Sequence, residues 1–257
     1  MNVAVESNRL SLATRASIFS GSFMLLSPTR ILNRAHTLHS LCRCALIFLM
    51  REEFIAALKK HQSAFSLDLP EEALNRLADY YDLIQEHNPI LHLVGPMGAE
   101  EFAFRHILES LTLLDYLPRN AKFVDVGPGA GFPSIPCLLV REAMKGVLIE
   151  SGLKKANFLR EVLAKCELQD RVEIINNQFS EIRRPYVSYI TCRALDKFTQ
   201  KLPALLKWSG DCTLLFFGGP NLGDELVKQG VKFKARLMPM SEQRYLFVSQ
   251  KEEQKEE

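Results

Sequence analysis

One stretch constrains this chain more than any other: Phe123-Val124-Asp125-Val126-Gly127-Pro128-Gly129-Ala130-Gly131-Phe132-Pro133, followed by a second apolar segment, Ile135 to Val140. An apolar run passes through an aspartate and then breaks into three glycines at alternate positions. The pattern predicts a buried parallel strand over Lys122 to Val126, a tight turn, and a helix starting beside it. Glycine is needed where backbone takes a positive φ, or where a ligand approaches with no Cβ in the way. The unpaired N–H groups of the helix start can then hold polar ligand atoms.

The spacing is Gly-x-Gly-x-Gly, not the Gly-x-Gly-x-x-Gly on which a dinucleotide pyrophosphate sits. A strand ending Asp-Val-Gly-x-Gly-x-Gly resembles motif I of class I methyltransferases, which hold S-adenosylmethionine (SAM). The competing interpretation is a glycine-rich turn that holds nothing.

The flanking chain supports an α/β fold. Before Pro118, helices are expected from Glu52 to Phe65, from Glu71 to His87 with Asn88-Pro89 ending it, and from Gly98 to Asp115. Beyond it, strands are expected at Lys122–Val126, Gly146–Ile149, Val172–Ile175, Val187–Cys192 and Thr213–Phe217, alternating with helices at Ser134–Met144, Lys154–Cys166 and Asp196–Leu206. Lys234–Met238 and Tyr245–Val248 form an antiparallel pair closing one edge. The expectation is a Rossmann-like, doubly wound, mostly parallel sheet with an antiparallel edge, preceded by a helical layer. Four regions follow: a leader over 1–49, the helical layer over 50–117, the α/β domain over 118–250, and a charged tail over 251–257.

The leader is rich in Ser, Arg, Leu and Ala, and it holds five arginines, no lysine and one acid, Glu6. It resembles a targeting segment or sequence attached by an upstream start, and Met50 is favoured as the working start. The chain's formal charge of +2 depends on this leader; without it 27 basic residues face 29 acidic ones. Any nucleic-acid surface is therefore a local patch. No apolar run is long enough to span a membrane. The six cysteines are scattered, Cys42-x-Cys44 lacks zinc-knuckle spacing, and no metal site is nominated. Scattered thiols in apolar runs suit a reducing, cytoplasmic location.

Three further positions carry chemistry. Glu150 ends the second strand, where ligands of open α/β sheets lie, and its carboxylate can accept hydrogen bonds from both hydroxyls of a ribose. Arg193, at the end of the fourth strand, points to the same crevice and suits a carboxylate or phosphate. Arg105, His106 and Glu109 fall within about one helical turn. They form either a polar cluster beside the donor site or a solvated helix face, and spacing favours the latter. Lys154 and Lys155 could touch phosphate, although two adjacent lysines commonly mark a wet helix face.

In order along the chain stand Arg105-His106-x-x-Glu109-Ser110-Leu111, Asp125-Val126-Gly127-x-Gly129-Ala130-Gly131-Phe132-Pro133-x-Ile135-Pro136, Glu150-Ser151 with Lys154-Lys155, Phe158-Leu159-Arg160-Glu161, and Arg193-Ala194. Together, residues 88–219 resemble the ribosomal RNA small-subunit methyltransferase G family, also called glucose-inhibited division protein B. The resemblance implies a class I SAM-dependent methyltransferase acting on N7 of a guanine in 16S rRNA, with 16S rRNA or the 30S subunit as partner. It implies SAM as methyl donor, no metal, and a cytoplasmic monomer. Carried over by position, Gly127, Gly129, Phe132, Glu150 and Arg193 contact the cofactor, and Phe179 and Ser180 flank its adenine. Arg105, His106 and Arg193 are the substrate-side candidates; no catalytic base is assigned, because guanine N7 already carries a free lone pair. The sequence departs from the family where Asn-Leu-Thr is replaced by His92-Leu93-Val94, and at Gln178, Ser180 and Gly218, where arginine, glutamate and lysine are usual. The departures keep two alternatives open: a SAM-binding relative without activity that serves ribosome assembly or regulation, and a class I methyltransferase with another substrate.

Overall fold

The computed structural model describes residues 49–193 and 198–250. The leader ahead of Leu49, the tail beyond Gln250 and the expected helix start at Asp196 lie outside the described residues. Helices α1 (49–61), α2 (Glu71–Leu91) and α3 (99–115) precede the first strand. Strands β1 (Lys122–Val126), β2 (Lys145–Ile149), β3 (Val172–Ile175), β4 (Tyr189–Arg193) and β5 (Thr213–Gly218) follow. They alternate with α4 (Ser134–Val140), α5 (Leu153–Lys165) and α6 (Phe198–Ser209). Helix α7 (Pro220–Lys228) leads to β6 (Phe233–Leu237) and β7 (Tyr245–Ser249).

The strands form one sheet in the order β3-β2-β1-β4-β5-β7-β6. β1 to β5 are parallel, and β7 runs antiparallel between β5 and β6. Period-two alternation decides which side chains meet. Phe123, Leu215, Phe217 and Leu246 face one cluster, with helical partners that include Phe54, Leu77, Tyr81, Phe102 and Leu138. Val124, Val126, Ile190, Phe216 and Phe247 face the other, against Leu202, Leu205, Leu222 and Leu226. The N-terminal helices thus share a core with one face of the sheet. Strand order reverses between β1 and β4, so a crevice opens outside their carboxyl ends. Among the described residues no helix is long and apolar enough to cross a membrane.

Several boundaries differ from those expected. α2 continues through Pro89 for one more turn and ends at His92, which is left-handed (φ 49°) with its N–H bonded to the Asn88 carbonyl at 2.9 Å. A proline so near a helix end removes one late hydrogen bond, which the last turn tolerates. The Asn88 side chain then accepts the Val94 N–H at 2.9 Å and so shapes the loop beyond. α4 stops early because Arg141 is extended and its guanidinium turns back to the carbonyls of Leu114 and Leu117, both at 2.7 Å. α3 contains a π-helical stretch at Ala103–Leu108, between α-helical turns at Ala99–Phe102 and Glu109–Leu111, and ends in a 3₁₀ turn at Thr112–Asp115. α7 was not expected, although Pro220 opens it and Leu222 and Leu226 supply a buried face.

Candidate functional site

The glycine loop is held from below. Gly127, Gly129 and Gly131 all have positive φ, at 71°, 59° and 110°. Gly131 is fixed twice over, since a Cβ there would lie 2.6 Å from Ile135 Cγ1 and 2.7 Å from the Tyr80 hydroxyl oxygen. That hydroxyl, fully buried on α2, donates to the Ala130 carbonyl at 2.6 Å. A Cβ on Gly129 would meet nothing within 4 Å, which leaves open space above the loop.

Glu150 follows β2 and is buried. One carboxylate oxygen accepts the Gly129 N–H at 3.1 Å and the other accepts the Gly152 N–H at 2.8 Å. The side chain therefore ties the glycine loop to the start of α5. Each oxygen keeps a further lone pair for a hydroxyl donor. Beneath the loop lies Asp125, fully buried, and neither of its oxygens meets a donor with hydrogen-bond geometry among the described residues. Burial pushes its carboxyl up to about 8, with Ser134 beside it pulling the other way.

The π-helical stretch divides the Arg105 cluster. Arg105 turns outward and pairs with Glu101, so its side chain is not on the cavity wall. His106 and Glu109 turn inward, which rejects the solvated face for these two. Glu109 is 1% exposed and binds the Arg193 guanidinium at 3.0 Å and the Arg244 guanidinium at 2.6 Å. Arg193 also donates to the Arg105 carbonyl at 2.6 Å and to the Ser110 hydroxyl at 3.4 Å, and lies 5.4 Å from the Phe217 ring centre. Its guanidinium is thus committed within the protein while the residue still lines the cavity. His106 stacks on Phe132, with ring centres 4.8 Å apart and planes at 15°. Burial, and then the charges of Arg193, Arg105 and Arg244, hold its pKa down to about 3, so the ring is neutral at neutral pH.

These groups surround a cavity of about 970 Å³ at the switch point. Its floor includes Gly127, Gly129, Phe132, Glu150, His106 and Arg193, and its rim carries Lys154, Lys155 and Lys201. The segment from Ile90 to Gly95 forms the opposite wall, so the departures at His92, Leu93 and Val94 face the cavity. Phe179 and Ser180 are outside this lining: Phe179 packs edge-on to Trp208 at 5.7 Å, and Ser180 is exposed in a 3₁₀ turn. Gln178 is exposed as well. At Gly218 a Cβ would come within 2.5 Å of Leu222, so the glycine and Leu222 are fitted to one another. Tyr80, Lys201 and Arg244 had no signal in local spacing, because each meets the site across a long stretch of chain. The fit to SAM is good on two counts: a carboxylate at the β2 end with free lone pairs, and open space over Gly129.

Known proteins resemble this chain in sequence and in fold. A ribosomal RNA small subunit methyltransferase G of Desulforamulus reducens is 35% identical over 188 residues, covering 68% of this chain and 75% of that protein. One from Neisseria meningitidis serogroup C is 30% identical over 148 residues, covering 58% and 69%. The solved structure of the mitomycin 7-O-methyltransferase MmcR aligns with a TM-score of 0.50 at 16% identity, covering 79% of this chain and 68% of that one, which speaks to the fold alone. The family model described as rRNA small subunit methyltransferase G (GidB) matches residues 73–255. By that match, which takes in every element from α2 to β7, the chain belongs to the rRNA small subunit methyltransferase G family.

Proposed function

We propose that this protein transfers a methyl group from SAM to N7 of a guanine in small-subunit (16S) rRNA, acting as a cytoplasmic monomer on 16S rRNA or the 30S particle. The observation that carries this reading is Glu150, buried at the end of β2 and bonded to both Gly129 and Gly152. Its remaining lone pairs suit the two ribose hydroxyls of an adenosine, and Gly127, Gly129 and Phe132 frame the methionine end. Phe179 and Ser180 serve the adenine through backbone groups, beyond the cavity wall.

SAM supplies an electrophilic methyl on sulfur. The chain's own residues orient and enclose. In-line displacement gains most from alignment of donor and acceptor, and N7 needs no proton removed. Arg193, fixed by Glu109, contributes a positioned cation at the floor. Lys154, Lys155 and Lys201 give the rim the positive charge that phosphates require. The lysine missing at Gly218 must be covered by another cation, with Lys154 or Arg193, both on the cavity lining, as the candidates.

The test supplies purified protein with labelled SAM and 30S particles or 16S rRNA from a strain lacking the modification. Label is expected at guanine N7, and Arg193→Ala should lower it strongly. Normal SAM binding with no labelled rRNA would favour the non-catalytic alternative, which the departures on the cavity wall at His92 to Val94 would then explain.

A further inference from the structure

His106 is anomalous on packing grounds. It sits in the π-helical stretch of α3, stacked on Phe132 and edge-on to Phe102 at 5.1 Å. It lines the cavity beside Gly127 and Arg193, yet neither ring nitrogen meets a hydrogen-bond partner among the described residues. A buried polar atom left unpaired costs about 1–3 kcal/mol. A phenyl ring would fill the same stack without that cost, so packing does not explain an imidazole here. A half-turn about the Cβ–Cγ bond exchanges each nitrogen with a ring carbon and keeps the stack on Phe132 intact. The polar edge can therefore be presented to the cavity without repacking.

The chemistry of the acceptor suggests what that edge is for. Guanine presents N7 and O6 as neighbouring acceptors, whereas adenine presents N7 beside an amino donor. N7 has to stay free to receive the methyl group, so along the edge that carries it discrimination between the purines falls to position 6. A donor aimed there accepts guanine and rejects adenine. The donor should also be uncharged, because the methylated ring becomes a cation. A neutral imidazole offers one N–H donor and no charge, and His106 is held neutral. The other donor of the floor, Arg193, is cationic and already bonded to Glu109, Ser110 and the Arg105 carbonyl.

We propose that the imidazole N–H of His106, braced on Phe132, donates to O6 of the target guanine and makes His106 a specificity-determining residue of the methyl transfer. This rests on the rRNA guanine-N7 reading above.

The experiment ligates 16S rRNA carrying guanine, inosine or 2-aminopurine at the methylated position; inosine keeps O6 and 2-aminopurine lacks it. Transfer is measured as kcat/KM for wild type, His106→Ala, His106→Asn and His106→Phe, with SAM affinity by calorimetry. Wild type should prefer guanine and inosine over 2-aminopurine by roughly ten- to a hundredfold. His106→Phe, which keeps the stack, and His106→Ala should both bring that preference close to one; in His106→Phe the SAM affinity should stay within about twofold of wild type, as expected where the lost bond belongs to the base alone. His106→Asn, which retains an N–H donor, should recover part of the preference. An unchanged preference in His106→Phe, or a collapse of SAM affinity in that variant, overturns the assignment. Wild-type protein that binds SAM but methylates no guanine-bearing RNA rejects the methyltransferase reading itself, and the base contact with it.

Discussion

Glu150→Gln isolates what the carboxylate does. Each of its oxygens holds one backbone N–H, from Gly129 at 3.1 Å and Gly152 at 2.8 Å. The amide keeps one acceptor and turns an NH₂ toward the other donor. One charge-assisted bond within the protein is lost, and so is one to a ribose hydroxyl. Each is worth about 1.5–3 kcal/mol, and burial of the group leaves little screening. On the ligand side this predicts a SAM dissociation constant raised roughly ten- to a hundredfold. On the protein side a comparable local loss predicts a melting temperature lower by about 3–10 °C for a domain of this size. Glu150→Ala should destabilise more, because both N–H groups then lose their partner. Calorimetric titration with SAM and with its 2′-deoxy analogue separates the two effects. Wild type should lose affinity for the analogue, and Glu150→Gln should lose little further. A normally folded Glu150→Gln that binds SAM with wild-type affinity would refute the ribose role.

Four other outcomes are expected. Glu109→Ala leaves the buried Arg193 and the partly exposed Arg244 without their shared carboxylate, and should cost about 3–5 kcal/mol of stability by denaturant titration; a loss under about 1 kcal/mol would show that the Glu109–Arg193 pair is not buried in solution. Asp125, ordinarily near 3.8, is raised to about 8, so the fold favours its protonated form. Its contribution is full below about pH 4 and is lost as pH rises toward 8; Asp125→Asn should flatten that part of the melting-temperature profile, and an identical slope would count against it. His106, lowered from 6.5 to about 3, acts in the opposite sense: stability present above pH 6.5 is lost on acidification, and His106→Phe should reduce that loss. A chain begun at Met50 should melt and bind SAM like the full chain, since Arg51 already pairs with Asp79 and Asp82 and, among the described residues, the buried core starts at Phe54; aggregation or lost binding would show that the preceding residues matter.

What could be read from the sequence was local. Alternating apolar residues placed the strands to within about two residues, and alternate glycines located the turn after β1. Glu150 stood out because its position at a strand end has a geometric meaning. The residues that went unread depend on contacts between distant segments. Tyr80 bonds a carbonyl 50 positions away, and Arg193 finds Glu109 84 positions back. The polar character of the Arg105 cluster suggested a solvated face; Glu109 is buried instead because Arg193 and Arg244, from distant strands, supply its partners. Proline rules failed in both directions, predicting an end at Pro89 that the last turn tolerates and leaving Pro220 unused as a start.

The electrostatics of the cavity fit a reaction that moves positive charge without moving a proton. The floor carries a Glu150 carboxylate, a His106 held neutral, and an Arg193 that shares the Glu109 carboxylate with Arg244, while Asp125 lies buried behind it. On the floor the charges of Glu150 and Arg193 are opposite, and Arg193 is paired with Glu109, while Lys154, Lys155 and Lys201 add positive charge at the rim. That division has a consequence for mutants. Rim lysines act on RNA capture, so their loss should raise KM and weaken with added salt. The floor groups act on alignment, so their loss should lower kcat at saturating RNA. The Glu109 network belongs with the floor because it holds Arg193, which lines the cavity. A buried ion pair of this kind adds little net stability over apolar packing, but it fixes the end of β4 against α3, and through Phe132 and His106 that helix is joined to the glycine loop.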